Sequence, residues 1–82
     1  MQVVLSNEAK KKYYRLPQTE QKKVKKKLLS LEKNPSLGKK LAGELSIYRS
    51  LRAWPYRIIY SINEKPKRVE IVSIEHRQGV YK

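Results

Sequence analysis

The strongest constraint lies in the second half of the chain. There IYRSLRA, YRIIYSI and RVEIVSIEHR form three β-rich runs, parted by the turn-forming WP and NEKPK. Such spacing predicts an antiparallel meander. In the second run Tyr56, Ile58 and Tyr60 alternate against Ile59. In the third, Val72 and Ile74 alternate against Val69 and Ile71. Both faces of these two runs are therefore largely apolar, which marks central strands covered on at least one side. The cover has to come from elsewhere in the chain.

The first half can supply it. Residues 2 to 5 (QVVL) read as a short strand, and Ser6 or Asn7 can cap a following helix with Glu8 near its positive end. Ala9, Tyr13 and Leu16 then recur at i, i+4 and i+7, leaving Lys10, Lys11, Lys12 and Arg15 in water. Pro17 closes this helix and suits the first turn of the next, where Val24, Leu28 and Leu31 repeat the stripe with Lys22, Lys26 and Lys33 opposite. Leu29 falls off the stripe and is expected at the periphery of the core. The helical hairpin ends at Asn34-Pro35. Residues 35 to 46 (PSLGKKLAGELS) read as a loop whose Leu37, Leu41 and Leu45 tuck inward. The expected order is β-α-α-β-β-β: an α+β domain over residues 1–82, with an N-terminal αα-hairpin packed on a small antiparallel sheet.

A chain of 82 residues has room for one core. With no cysteine, that core is held by packing alone, and a thiolate metal site is excluded. The formal net charge of +13 makes a polyanionic partner the default inference. Its distribution is uneven: the lysines crowd into the helical half, whereas Arg49, Arg52, Arg57, Arg68 and Arg77 lie in the strand half. Lysine stays solvated, while arginine more often grips phosphate. No apolar run approaches the ~20 residues of a bilayer span, and the opening MQVVLSNEAKKK runs opposite to a secretory signal. A cytoplasmic protein without membrane contact is expected.

Counting residues also removes several kinds of catalysis. Every acid is a glutamate and the seven are scattered, so a carboxylate-held metal site is not expected. A lone His76 cannot form a two-histidine acid–base pair, and the three glycines do not space like a phosphate-binding loop. No cofactor is expected. What remains is a concentration of Tyr48, Arg49, Arg52, Tyr56, Arg57, Tyr60, His76, Arg77 and Tyr81. Arginine can hold a phosphodiester bidentately, and tyrosine can stack on a base or move a proton. Bland readings stand beside these. Arg49, Arg52 and Arg57 fit solvated positions on an open sheet face equally well. Tyr56 and Tyr60 fit core packing better than a site. His76, at a strand end, fits a structural hydrogen bond as well as a catalytic role.

The segments LSNEAKKKYYRLP, LLSLEKNPS, KLAGELSIYRSLRAWPYRIIYSI and VEIVSIEHRQGVY resemble the RelE/ParE family of toxins from prokaryotic toxin–antitoxin systems. YRSLR, YRIIY and the closing HRxxVY carry most of the resemblance, which spans nearly the whole chain. It implies a compact fold related to microbial ribonucleases, and a ribosome-dependent endoribonuclease that cuts mRNA by attack of the 2′-OH on the adjacent phosphate. Position by position, it implies that Arg57 holds the scissile phosphate, that Arg77 assists the leaving group, and that Tyr81 stacks on a base or transfers a proton. Arg49, Arg52 and His76 match RNA-contacting positions.

The chain departs from that pattern in places. Tyr48 and Ser50 stand where well-known ribosome-dependent members have two lysines, the turn reads Trp54-Pro55, and the chain stops at Lys82 without the terminal helix of some members. Members resembling ParE keep the fold but inhibit DNA gyrase, and a catalytically inactive RNA-binding member is a further alternative. Arg57, Arg77 and Tyr81 together favour the nuclease. The implied partners are the ribosome with its mRNA, and a cognate acidic antitoxin protein.

Overall fold

The structure, a computed structural model, describes residues 1–76. Two helices, α1 (Asn7–Arg15) and α2 (Gln18–Lys33), follow a first strand β1 (Gln2–Leu5). Then come β2 (Lys39–Lys40), β3 (Tyr48–Ala53), β4 (Tyr56–Glu64) and β5 (Lys67–His76). The five strands form one sheet in the order β1-β5-β4-β3-β2. β3, β4 and β5 make the expected antiparallel meander, and the helices lie on one face of it.

Two features of the sheet differ from expectation. It is mixed, because β1 pairs parallel with β5, Gln2 opposite Arg68 through Leu5 opposite Ile71. Strand-forming composition says nothing of direction. β1 reaches its partner through a crossover that includes both helices, and a connection of that length permits parallel pairing. The second feature is β2, two lysines in the stretch read as a loop, pairing with Arg49 and Ser50 of β3. Short lysine edges of this kind discourage pairing with other chains.

The helices form for the reasons their sequences suggest. The Ser6 hydroxyl accepts from Ala9 N–H at 3.1 Å, capping α1, and donates to the Val72 carbonyl at 2.9 Å, fastening the helix start to β5. Pro17 sits at the N-cap of α2 without a side-chain cap. Instead Gln21 Nε2 donates to the Leu16 carbonyl at 3.0 Å, holding the tight corner between the helices. Ala9, Val24 and Leu31 are completely buried and Leu16 nearly so. They face Ile58, Tyr60, Val69, Ile71 and Ile74, and burying each large side chain contributes on the order of 1.5–3 kcal/mol.

Leu29 is half exposed, on the solvent side with Lys22, Lys26 and Lys33, because helical spacing turns it away from Val24, Leu28 and Leu31. Leu37 is also largely exposed, while Leu41 is half-buried; the side chain of Leu45 is outside what the structure describes. Pro35–Leu37 closes a 3₁₀ turn capped by Asn34, whose side chain accepts from Ser36 N–H. That turn carries Leu37 outward and brings Gly38 inward.

Tyr60 holds this segment in place. Its buried hydroxyl donates to the Pro35 carbonyl at 2.7 Å and accepts from Gly38 N–H at 2.7 Å. A Cβ on Gly38 would lie 2.5 Å from that hydroxyl oxygen, so the close approach requires glycine. Tyr60 thus belongs to the core, as its place in an apolar strand suggested. Tyr56 packs at the core's edge, half-buried.

A β-bulge in β5 decides which residues share a face. Tyr60 pairs with Ile71 but Ile59 pairs with Ser73, so Val72 is the extra residue. Simple alternation would put Ile71 and Ile74 on opposite faces. The bulge puts both beneath the helices, 0% and 2% exposed.

Candidate functional site

Among the described residues, no helix covers the sheet face away from α1 and α2. By the register, β3 places Tyr48, Ser50 and Arg52 there, β4 places Arg57, Ile59, Ser61 and Asn63, and β5 places Arg68, Glu70, Ser73 and Glu75. Arg52 stands directly opposite Arg57, and Arg57 directly opposite Glu75. Two like charges side by side are unfavourable for a sheet, at about 0.2–1 kcal/mol by the scale of cross-strand pairs. Such an arrangement suits an anion that bridges them. At the opposite end of the same face Arg68 is neutralised within the protein: its guanidinium meets Glu70 Oε2 at 2.8 and 3.0 Å.

The structure brings together only part of the set singled out in the sequence. Arg52 and Arg57 are neighbours on the open face. Arg49 pairs with Tyr60 and so lies on the helix side, where its guanidinium donates to the Gly38 carbonyl at 2.8 Å. That bond braces the Tyr60–Gly38 junction from β3. Neither Tyr48 nor Ser50 is replaced as a cation by Arg49, since strand alternation sends it to the other face. His76 also lies on the helix side, its ring edge-on to Tyr56 with centroids 5.2 Å apart. Arg77 and Tyr81 lie outside the described residues.

Glu75 is the site-row member that sequence reasoning missed. Strict alternation from Val69 and Ile71 would turn Glu75 toward the helices and His76 to the open face. The Val72 bulge exchanges them. The signal available beforehand was weak: in RVEIVSIEHR the apolar residues run Val69, Ile71, then Val72, Ile74, a change of phase at the adjacent pair Ile71-Val72.

A cleft of about 460 Å³ separates α1 from the end of β5 and is lined by Glu8, Lys11, Lys12, Arg15, Glu75 and His76 among others. Its charged lining is mixed, with Lys11, Lys12 and Arg15 beside Glu8 and Glu75. The Tyr60 hydroxyl is no proton donor for the open face, since it points beneath the helices. Burial pushes its pKa up, partly offset by the Gly38 N–H and the Arg49 guanidinium. Among the described residues no three of His, Asp, Glu or Cys gather closely enough to hold a metal ion. No described helix is long and apolar enough to cross a membrane.

Together these features define a small, strongly basic α+β protein with two helices on one side of its sheet and paired arginines on the other. The chain belongs to the family of ParE toxins of type II toxin–antitoxin systems, parDE, whose model matches residues 3–81. Its fold is that of RelE, YoeB and ParE toxins. It is similar to a chain of the toxin–antitoxin complex RelBE2 from Mycobacterium tuberculosis, 28% identical with a TM-score of 0.83, covering 93% of this chain and 96% of that one. The isolated RelE toxin of E. coli is 24% identical with a TM-score of 0.78, covering 92% of this chain and 82% of that one. A YoeB/ParE toxin from Agrobacterium tumefaciens is 20% identical with a TM-score of 0.78, covering 93% and 98%. No curated protein matches the chain in sequence.

Proposed function

We propose that this toxin is a ribosome-dependent endoribonuclease that cuts mRNA by attack of the 2′-OH on the adjacent phosphate. The observation that carries the reading is the Arg52–Arg57 pair on the sheet face opposite α1 and α2. In this reading Arg57 holds the scissile phosphate and Arg52 the neighbouring backbone, and together they neutralise charge that grows toward the pentacovalent transition state. The 2′-oxygen bonds to phosphorus, the bond to O5′ breaks, and a 2′,3′-cyclic phosphate remains. The 2′-OH gives up its proton as it attacks, and O5′ gains one as it leaves. Glu75, facing Arg57 across β4 and β5, orients the guanidinium. Arg77 and Tyr81 take the roles that the resemblance implies, leaving-group assistance and proton transfer or base stacking. Substrate alignment by the ribosome supplies the remaining geometry.

The second reading is gyrase inhibition without nuclease activity. It is favoured by the ParE identity of the matching family and by Tyr48 and Ser50 on the open face, with Arg49 turned to the helices. Under either reading the partner is a cognate acidic antitoxin acting in the cytoplasm. Solved complexes of E. coli RelBE and Staphylococcus aureus YoeB–YefM pair relatives of this fold with antitoxins, and a charge of +13 suits an acidic chain.

Induction in a bacterial host, with mRNA 5′ ends mapped alongside plasmid supercoiling, separates the readings. Cuts inside translated codons, lost when translation is blocked and lost in a folded Arg57→Ala variant, are expected. Intact mRNA with altered supercoiling would replace the nuclease with the gyrase inhibitor.

A further inference from the structure

Trp54 is 58% exposed at the tip of the β3–β4 hairpin. It borders a groove of about 300 Å³ with Lys23, Lys26, Lys27, Ser30 and Ala53. Lys23 already meets Glu20 Oε2 at 3.2 Å, whereas Lys26 and Lys27 join no ion pair among the described residues. An aromatic face is thus set beside two uncompensated cations of α2. The register places this groove on the helix side of the hairpin, because Ala53 and Tyr56 flank the turn on the face that α2 covers. Arg52 and Arg57 are the next pair inward, on the opposite face.

From this geometry we infer that the Trp54 groove is a second binding site for single-stranded nucleic acid, with an unpaired base stacked on the indole and adjacent phosphates held by Lys26 and Lys27. Stacking on aromatic side chains is tolerant of sequence, and lysines beside it track the backbone. A nucleotide offers both a π-face and a negative charge, the two features that the indole and the lysines lining the groove recognise. An acidic peptide matches the lysines but makes less use of the flat, exposed indole. A strand leaving the Arg52–Arg57 pair can round the hairpin tip to reach Trp54, so the two sites form one continuous track. The inference concerns binding alone and stands apart from the cleavage reading.

Trp54 is the sole tryptophan, so its emission reports on the groove directly. The probe is a short 2′-O-methyl oligoadenylate, which lacks the attacking hydroxyl and cannot be cut. Saturable quenching of Trp54 is expected with this probe but not with inorganic polyphosphate. By anisotropy of the labelled probe, Trp54→Ala binds about 5- to 100-fold more weakly, and Trp54→Phe recovers part of that loss. Lys26→Gln with Lys27→Gln reduces the logarithmic salt slope by about 1.4. Circular dichroism checks that each variant is folded.

Unchanged affinity in a folded Trp54→Ala protein would overturn the inference, as would equal quenching by polyphosphate. Polyglutamate that outcompetes the oligonucleotide in a Trp54-dependent way would make the groove a protein-docking site instead. If the probe binds as described while induced cells show no mRNA cuts, only the nuclease reading falls.

Discussion

Replacing Tyr60 by phenylalanine removes one oxygen and tests the junction that positions the segment between α2 and β3. The hydroxyl satisfies two backbone groups, donating to the Pro35 carbonyl and accepting from Gly38 N–H, each at 2.7 Å. Gly38 is buried, so its N–H loses its partner out of reach of water, at a cost of about 1–3 kcal/mol. Pro35 is half-buried and its carbonyl can rehydrate, leaving a loss of about 0.5–1.5 kcal/mol for that bond. The sum is about 1.5–4.5 kcal/mol. For a chain of this size it lowers the melting temperature by roughly 6–36 °C.

Thermal melts followed by circular dichroism at neutral pH measure this, with Tyr56→Phe as the control at half-buried, ring-packed Tyr56. A Tyr60→Phe melting point within about 4 °C of wild type would refute the reasoning, because the junction would then be carrying little of the fold. Alkaline pH gives an independent check. Desolvation raises the Tyr60 pKa above its ordinary value, with lesser opposing effects from Gly38 N–H and Arg49. The folded pKa therefore exceeds the unfolded one. The tyrosine's contribution is whole below about pH 10 and is lost as pH climbs through the folded value. Tyr60→Phe should flatten that part of the alkaline decline in stability.

Gly38→Ala attacks the same junction from the other side, since its Cβ would meet the Tyr60 hydroxyl oxygen at 2.5 Å and Cε1 at 2.6 Å. It should cost about 1–3 kcal/mol, and its effect should combine less than additively with Tyr60→Phe in a double-mutant cycle. Ser6→Ala removes both the α1 cap and the bond to the Val72 carbonyl, and should lower stability by about 1 kcal/mol in urea titrations. Leu31→Ala empties a completely buried position against the sheet, and a loss of about 2–5 kcal/mol is expected in the same titrations. Arg52→Gln should leave stability within about 0.5 kcal/mol of wild type while reducing the salt slope of RNA binding by about 0.7, read by anisotropy.

The meander was legible because Pro-containing turns punctuate three runs of β-branched and aromatic residues, and those signals are local. The helices were legible because Ala9, Tyr13, Leu16 and Val24, Leu28, Leu31 repeat at helical spacing, and period alone tells the buried side from the wet one. The +13 charge and the gathering of arginines in the strand half also belong to the sequence, and they pointed to phosphate before any fold was known.

What the sequence could not say is which arginines stand together. Alternation along β3 separates Arg49 from Arg52, but only the register with β4 sets Arg57 beside Arg52, and only the folded chain shows what the other face offers Arg49, the Gly38 carbonyl held inward by Tyr60. The direction of β1 likewise depends on a crossover through both helices, which no local pattern records. Most consequential is the single residue bulged at Val72. A bulge is a property of two strands in register, invisible in either one alone. By shifting the pleat it buries Ile71 and Ile74 together, turns His76 toward Tyr56 and sets Glu75 across from Arg57. Residue types thus determined that this protein is a basic α+β chain suited to phosphate, and strand pairing decided which of them make the site, because facing is settled only when a partner strand fixes the register.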